Sequence, residues 1–450
     1  MNALSLFSRR LRSTDRAQRH RVVIVGGGAA GLELATKLGR SAEFEVTLID
    51  KARSHIWKPK LHEIAAGSMD VGGHEVGFLA HARNNGFAYR MGEMTGLNRE
   101  SREVSIAPFV DSDGEEITPA RTFGYDTLVL AVGSQSNDFG TPGVKEHALK
   151  LECTCDAAKF NRKLLNACFR EQSRQSQSGQ VRRLRICIIG AGATGVELAA
   201  ELLRTGREVL GHGHTPSSVG SDALEVHVVE ATDRVLSALP PRLSEAAHRL
   251  LTDQGVQVHV SAKVSAVTCT AVQLSDGSSI PSDITVWAAG VRAPSFLKTL
   301  AGLETNHLNQ LVVQPSLQTT LDPSIFAMGD CAACPIPGGH GVVPPRAQAA
   351  HQQAAFLALN LPLHLQGQAI PPYKYRDFGS LISLGKFSTI GSLMGGLVGR
   401  SMFIEGLFAK TMYWLMYKSH EVTLHGWRRV TLQTLARCLM PSGGSRIKLH

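Results

Sequence analysis

Two stretches of this 450-residue chain carry the same device, and few folds can accommodate it. The first, RVVIVGGGAAG from Arg21 to Gly31, is a short β-branched run followed at once by Gly26, Gly28 and Gly31. Such a run suits a buried parallel strand opening into a tight turn. LELATKLGR then continues with helical periodicity, and EVTLID supplies a second strand ending at Asp50. In a strand, glycine turn, helix and strand, each glycine has its own task. Gly26 permits the turn, Gly28 lets the backbone approach a pyrophosphate, and Gly31, next to Ala30, lets helix and strand pack closely, while the helix N-terminus attracts negative charge. Asp50 stands about 20 residues downstream, where an acid accepts from a ribose hydroxyl.

The device returns at RICIIGAGATGVELAAEL, with Arg185 to Ile189 as the strand and Gly190, Gly192, Thr194 and Gly195 in the turn. The next strand, LEVHVVE, ends at Glu230, and the intervening GHGHTPSSVGSD reads as a loop insertion. Two mononucleotide folds imply two dinucleotides. An acid at Glu230 bonds a free 2′-hydroxyl and repels a 2′-phosphate, which predicts NADH over NADPH. Other segments return the chain to each nucleotide. YDTLVLAVGS, with Ala131 and Gly133, and DITVWAAGVRAP, with Ala289 and Gly290, pair an acid-led strand with small residues that let backbone touch a cofactor. SIFAMGDCA places Gly329 and Asp330 after a further strand, where an amide and a carboxylate suit a ribityl or pyrophosphate edge. The fold class expected is α/β, with two Rossmann-like domains, the second inserted in the first. Residues 21–150 and 310–370 form one and 151–309 the other, between a basic extension at 1–20 and a C-terminal region at 371–450.

Composition is globular, with 43% hydrophobic and 19% charged residues, which excludes a wholly disordered chain. The net charge of +9 is unevenly spread. Residues 1–20 carry five arginines against Asp15, a net of +4, and residues 371–450 carry eleven Lys and Arg against three acids, a net of +8, leaving −3 for the middle. A slightly acidic body with basic ends points to a local contact with an anionic partner. From Met402 an apolar and aromatic surface is interrupted by Glu405, Lys410 and Lys418, and Leu424, Trp427, Leu432, Leu435 and Leu439 recur near helical spacing with Arg428, Arg429 and Arg437 among them. This is an interfacial amphipathic pattern suited to anionic lipid. The bland alternative is a helical hairpin packed on the body or on a homodimer partner. Nucleic acid fits less well, because the aromatics accompany aliphatics instead of interleaving a cationic groove. No apolar run reaches the roughly 18 to 20 residues of a membrane-spanning helix. Eight irregularly spaced cysteines do not make a secreted disulfide framework and favour a reducing compartment. The Arg- and Ser-rich opening has the composition of a mitochondrial transit peptide or of a short basic extension.

With both glycine motifs and the Gly329-Asp330 pair in place, the chain resembles the two-dinucleotide flavoproteins (pyridine nucleotide-disulfide oxidoreductase-like). Within them it is similar to the type II, non-proton-pumping NADH:quinone oxidoreductases of bacterial inner membranes, from about Arg21 to the C-terminus. The resemblance implies FAD at Gly26, Gly28, Gly31, Asp50, Lys51 and Asp330, and NADH at Gly190, Gly192, Gly195 and Glu230. VPPRAQAAHQQ resembles the family's AQxxHQ quinone-site motif, here Ala347, Gln348, His351 and Gln352. A helix after the double proline puts Gln348 and Gln352 on one face, where two amides bracket a quinone carbonyl; solvated glutamines are the bland alternative. Glu197 falls in the first turn of the second glycine helix, a position the helix dipole alone would favour for an acid. In the resembling enzymes the matching glutamate lies near the flavin and serves NADH handling or proton delivery. Reduction of ubiquinone or menaquinone consumes two protons while NADH supplies one hydride, so a relay is required, with Glu197, then His351, then Lys386 as candidates. The implied reaction passes hydride from NADH to FAD and two electrons onward to quinone, on the cytoplasmic face of the membrane. No metal is expected.

Three rivals stand beside this reading. Cys331-Ala-Ala-Cys334 is a CxxC pair of the kind a soluble flavin-dependent disulfide reductase uses, although SHIWKPKLHEIAAG, near where such pairs occur, has no cysteine. Its bland alternative is thiol crowding without a catalytic role, and metal binding would need two more ligands. A sulfide:quinone oxidoreductase would bring two cysteines to the far face of the flavin. A regulatory flavoprotein would keep the sites and lack turnover.

Overall fold

The computed structural model describes residues 19–111, 113–178, 182–210, 224–339, 341–384, 389–393 and 402–439. Residues 1–18 of the basic opening, the GHGHTPSSVGSD insertion and Lys386 lie outside these residues. The first sheet is five-stranded and parallel, in the order Ile325–Ala327, Thr127–Leu130, His20–Val25, Phe44–Asp50, Ala88–Met91. Its central strands are apolar runs covered on both faces: Val22 to Val25, Leu128 to Leu130 and Ile325 to Ala327 are all buried, as a parallel sheet between helices requires. The helix Ala29–Leu38 leaves the first strand through the glycine turn and packs against the long helix Ala347–Leu365.

The second sheet repeats the pattern with Ala148–Leu149, Ile284–Trp287, Leu184–Ile189, Leu224–Val229 and Gln257–His259, again all parallel. Its strands fall between residues 148 and 287, and the first sheet resumes only at Ile325, so the second unit sits within the first in chain order. Two short strands, Gln135–Ser136 and Val291–Arg292, pair antiparallel where the chain leaves the first unit and returns to it.

Beyond residue 371 the structure departs from the purely helical expectation. A three-stranded antiparallel sheet, Gly379–Ser383, Thr389–Leu393 and Met402–Glu405, precedes the helices Gly406–His425 and Trp427–Leu439. Short antiparallel strands need only hairpin connections and leave little trace in a pattern read for helical period. The two helices part at Gly426, whose φ of +80° ends the first one. The first docks through Ala409, Tyr413, Tyr417, His420 and Leu424, all buried at three- to four-residue spacing. Leu424, expected on the same apolar surface as its successors, is instead a core residue at 1% exposure, whereas Trp427, Leu432 and Leu435 are 65%, 68% and 55% exposed. Among the described residues no helix is long and apolar enough to cross a membrane.

Candidate active site

The two glycine turns are built alike. Gly26 and Gly190 have φ of +105° and +103°, and a Cβ on either would strike backbone of the next strand's exit, 2.3 Å from the Ala131 carbonyl oxygen and 2.7 Å from Ala289 Cα. Gly31 and Gly195 face their own turns: a Cβ would lie 1.8 Å from the Gly26 carbonyl oxygen and 2.0 Å from that of Gly190. Gly28 and Gly192 differ, for no protein atom lies within 4 Å of a Cβ on either, and both are exposed at a helix N-terminus. Each turn is therefore closed to side chains at its first and third glycine and open at its second, which is the cradle a pyrophosphate needs.

The acids at the strand ends complete the likeness. Asp50 accepts from the Gly27 amide at 2.6 Å and the Ala52 amide at 2.7 Å. Glu230 accepts from the Ala191 amide at 2.8 Å and the Thr232 amide at 2.9 Å. Each carboxylate is thus tied to the residue after the first glycine, at the rim of the open cradle. Burial pushes the Asp50 carboxyl up, and the two amides pull it back. Lys51, implied as a contact of the first nucleotide, pairs on the surface with Glu93 at 3.1 Å. Ala30 is buried at the start of the first helix and Thr194 is exposed at the start of the second. Gly133 and Gly290 have φ of +70° and +63° at the ends of their strands, where left-handed backbone favours glycine. Asp330 accepts from the Ser134 hydroxyl at 2.7 Å, and its carbonyl accepts from Gln310. The Gly329 amide donates to Gln353 at 2.6 Å, which ties the Gly-Asp turn to the helix beginning at Ala347.

On that helix Gln348 and Gln352 share a face, as their spacing requires, and both bind the segment 376–379. Gln348 donates to Asp377 and to the Gly379 carbonyl and accepts from the Phe378 amide at 3.1 Å. Gln352 donates to the Arg376 carbonyl at 2.8 Å and accepts from its amide at 3.0 Å. Both amide donors of Gln348 are occupied, so in this arrangement the pair clamps a backbone segment and does not form a preset bracket for a carbonyl. His351 turns the other way. It bonds Glu33 through Nδ1, approaches His420 through Nε2 at 3.2 Å, and stacks on Trp57 with ring centroids 5.2 Å apart.

Glu197 is 6% exposed and belongs to a separate cluster. Its Oε1 accepts from the Ser383 amide at 3.0 Å, and its Oε2 lies 3.5 Å from His62 Nδ1. Burial raises the carboxyl's proton affinity, opposed first by His62. Tyr413 sits in the same surroundings. Its buried hydroxyl has no hydrogen-bond partner among the described residues, and burial followed by the Glu197 charge pushes its pKa well up. Lys60 lies over the Tyr413 ring at 4.8 Å. A buried acid that favours its proton, an unbonded phenol and a nearby cation suit proton exchange at a reacting group.

The sequence reading passed over His55, Trp57, Lys60 and His62, all within SHIWKPKLHE, and over His420. A titratable or aromatic residue at nearly every second place of that stretch was the available signal. Cys331 and Cys334 are free, fully buried thiols bonded to backbone carbonyls, and burial pushes them up to about 11 and about 12, far from the thiolate that disulfide exchange needs. One disulfide joins Cys153 to Cys155, at the start of the helix Thr154–Ser178. Among the described residues it is the one disulfide, a local link between cysteines two positions apart.

The profile of the pyridine nucleotide-disulphide oxidoreductase family matches residues 20–354. A type II NADH:quinone oxidoreductase of Haemophilus influenzae is 40% identical over 95% of this chain and 99% of its own length. The fold is shared with NDH2 of Plasmodium falciparum, solved in complex with NADH (TM-score 0.78, 18% identity, 96% of this chain and 100% of that one). It is shared also with the sulfide:quinone oxidoreductase of Aquifex aeolicus (TM-score 0.70, 15% identity, 94% and 96%). The paired glycine cradles, the acid at each rim and similarity running the length of the chain lead to one conclusion: the chain belongs to the pyridine nucleotide-disulphide oxidoreductase family and, within it, to the type II NADH:quinone oxidoreductases.

Proposed function

We propose that this protein oxidises NADH and reduces a membrane quinone without pumping protons, with FAD held in the first glycine fold and NADH in the second. The observation that carries the reading is the pair of cradles, each closed at two glycines and open at the middle one, in a chain of this family. Bound FAD supplies a two-electron carrier that takes a hydride and discharges to a quinone. The chain's own residues bind, orient and manage protons. The amides and helix N-terminus at Gly28 face one pyrophosphate and those at Gly192 the other. Asp50 and Glu230 accept from ribose hydroxyls, and Glu230 repels a 2′-phosphate. Asp330, set by Ser134, and the left-handed turns at Gly133 and Gly329 bring backbone to the flavin nucleotide, as Ala289 and Gly290 do for the nicotinamide nucleotide. Gln348 and Gln352 hold the segment 376–379 as a wall of the quinone site, beginning at Ala347. Burial beside His62 pushes the Glu197 carboxyl up, which suits it to NADH handling or to relaying protons near the flavin.

The acceptor, ubiquinone or menaquinone, resides in lipid. The exposed Trp427, Leu432 and Leu435 with Arg428 and Arg429 favour peripheral attachment to an anionic surface. For a bacterial protein this is the cytoplasmic face of the inner membrane, where NADH is regenerated. Anaerobic stopped-flow absorbance tests the reading. NADH bleaches the flavin band near about 450 nm, and a short-chain ubiquinone analogue restores it. Bleaching without restoration would remove the quinone assignment and leave the two nucleotides.

A further inference from the structure

Four side chains from four parts of the sequence form an unbroken string of hydrogen bonds. His55 Nδ1 lies 3.0 Å from the Gly27 carbonyl oxygen, His55 Nε2 lies 3.0 Å from His420 Nε2, His420 Nδ1 lies 3.2 Å from His351 Nε2, and His351 Nδ1 meets Glu33. Lys37 holds the other Glu33 oxygen at 2.6 Å. Nothing in the sequence joins these residues. His420 comes from the helix Gly406–His425, His351 from the helix that carries the glutamines, Glu33 from the first glycine helix and Gly27 from the turn itself.

The polarity of the string is fixed at one end, and the tautomers can be assigned from it. A carbonyl oxygen only accepts, so His55 Nδ1 carries a hydrogen and neutral His55 accepts at Nε2. His420 must then donate from Nε2 and accept at Nδ1. His351 must therefore donate from Nε2. A neutral His351 would now turn a lone pair at Nδ1 toward a carboxylate, which is repulsive, so one further proton belongs to the His351–Glu33 contact. Glu33 already accepts from the Lys37 ammonium through its other oxygen, so the carboxylate acts as an acceptor on both sides and the proton is placed on the ring. We propose that His55 and His420 are positioning residues that lock His351 as a doubly protonated ring, a proton store for quinone reduction.

Two further features agree. Trp57 covers the string, its ring centroid 5.2 Å from that of His351 and 4.0 Å from that of His420, and an indole face favours a cation. Burial lowers His55 to about 4 and lowers His420 further, so both remain neutral relays beside the charged ring. His81 and His425 also face the string, and both are lowered by burial first. A cavity of about 140 Å³ lined by His55, His420, His74, Glu75, His425 and Arg429 adjoins the string and gives water a place beside it. Glu421 also lines it, and Lys418 pairs with Glu421 at 2.6 Å. The proposal rests on the quinone-reductase reading, and the balance is simple. NADH gives two electrons and one proton as hydride, the quinone takes two electrons and two protons, and the second proton leaves His351 and is returned from solvent.

Nitrogen-15 NMR of the histidine-labelled holoprotein at neutral pH reads the lock directly, with single-histidine variants assigning the signals. The expected pattern is a hydrogen on Nδ1 of His55, on Nε2 of His420 and on both nitrogens of His351. A singly protonated His351, or the opposite tautomer at His55, overturns the proposal whatever the enzyme turns over. Two variants give a kinetic arm. His420→Gln can still accept from His351 and donate to His55, whereas His420→Leu can do neither. The leucine variant is expected to slow quinone-driven flavin reoxidation by about ten- to a hundredfold, with most of the rate kept in the glutamine variant. Equal behaviour of the two also overturns the proposal. Should wild type itself fail to reoxidise with quinone, the functional reading falls while the NMR pattern still decides the lock. If the leucine variant does not fold, the wild-type spectrum suffices.

Discussion

Replacing Gly192 with alanine separates a cofactor contact from a folding contact. No protein atom lies within 4 Å of the added Cβ, and Gly192 does not occupy the left-handed region, so the folded chain takes the methyl without strain. A glycine-to-alanine change at such a position stabilises by about 0.4–1 kcal/mol through the unfolded state. On the reading proposed above, the same methyl would stand in the open cradle that receives the nicotinamide nucleotide's pyrophosphate. Intruding on a close-packed contact costs about 1–3 kcal/mol, or roughly 5- to 150-fold in affinity. The dependence of the anaerobic flavin-reduction rate on NADH concentration measures the apparent affinity, and thermal unfolding with flavin content measures the fold. The expected result is weakened NADH, full FAD occupancy and an unchanged or slightly raised Tm. Gly195→Ala is the control, since its Cβ would lie 2.0 Å from the Gly190 carbonyl oxygen and must displace backbone; that variant loses stability as well. Unchanged NADH affinity in Gly192→Ala, or a Tm lowered as much as in Gly195→Ala, would refute the reasoning.

Three other outcomes follow from the same geometry. If Glu230 faces the ribose as proposed, Glu230→Gln removes a charge that would oppose a 2′-phosphate, and the NADPH-to-NADH ratio of kcat/KM should rise by about tenfold, or ~1.4 kcal/mol; a ratio that does not move would place the specificity elsewhere. Glu197 has a folded-state pKa raised above its unfolded value by burial, so the stability linked to its proton is present at low pH and is lost as pH rises through the folded value. Glu197→Gln should therefore match wild type in Tm near pH 4 and exceed it at pH 8, and a constant offset across that range would contradict the sign. Replacing Trp427, Leu432 and Leu435 together with serine removes about 1 kcal/mol of lipid burial each. Cosedimentation with anionic vesicles should weaken by about a hundredfold with little change in Tm, because all three are already exposed; undiminished vesicle binding would assign the attachment to another surface.

What could be read directly was local. Gly26, Gly28 and Gly31, and Gly190, Gly192 and Gly195, each follow an apolar run and precede a helical one, and turn chemistry of that kind depends on residues within a few places of each other. The structure adds that in both triplets the outer two glycines meet protein backbone and the middle one meets none. The strand ends at Asp50 and next to Glu230 were legible for the same reason, as was the helix that begins at Ala347. The short strands after residue 379 were not, because their stability lies in pairing with one another.

Two nucleotide folds, the acid after each, the helical face shared by Gln348 and Gln352, and a cationic, aromatic C-terminus are thus written in backbone periodicity and neighbouring residue types. What those side chains meet emerges from packing: Gln348 and Gln352 hold the segment 376–379, Leu424 turns inward while Trp427 turns out, Glu197 faces His62, and His55, His351 and His420 join Glu33 to Gly27. His55 and His420 are separated by 365 positions in the chain. No period or motif relates residues that far apart; their hydrogen bond exists because burial of the helix Gly406–His425 against the first glycine fold leaves each ring the other as its partner.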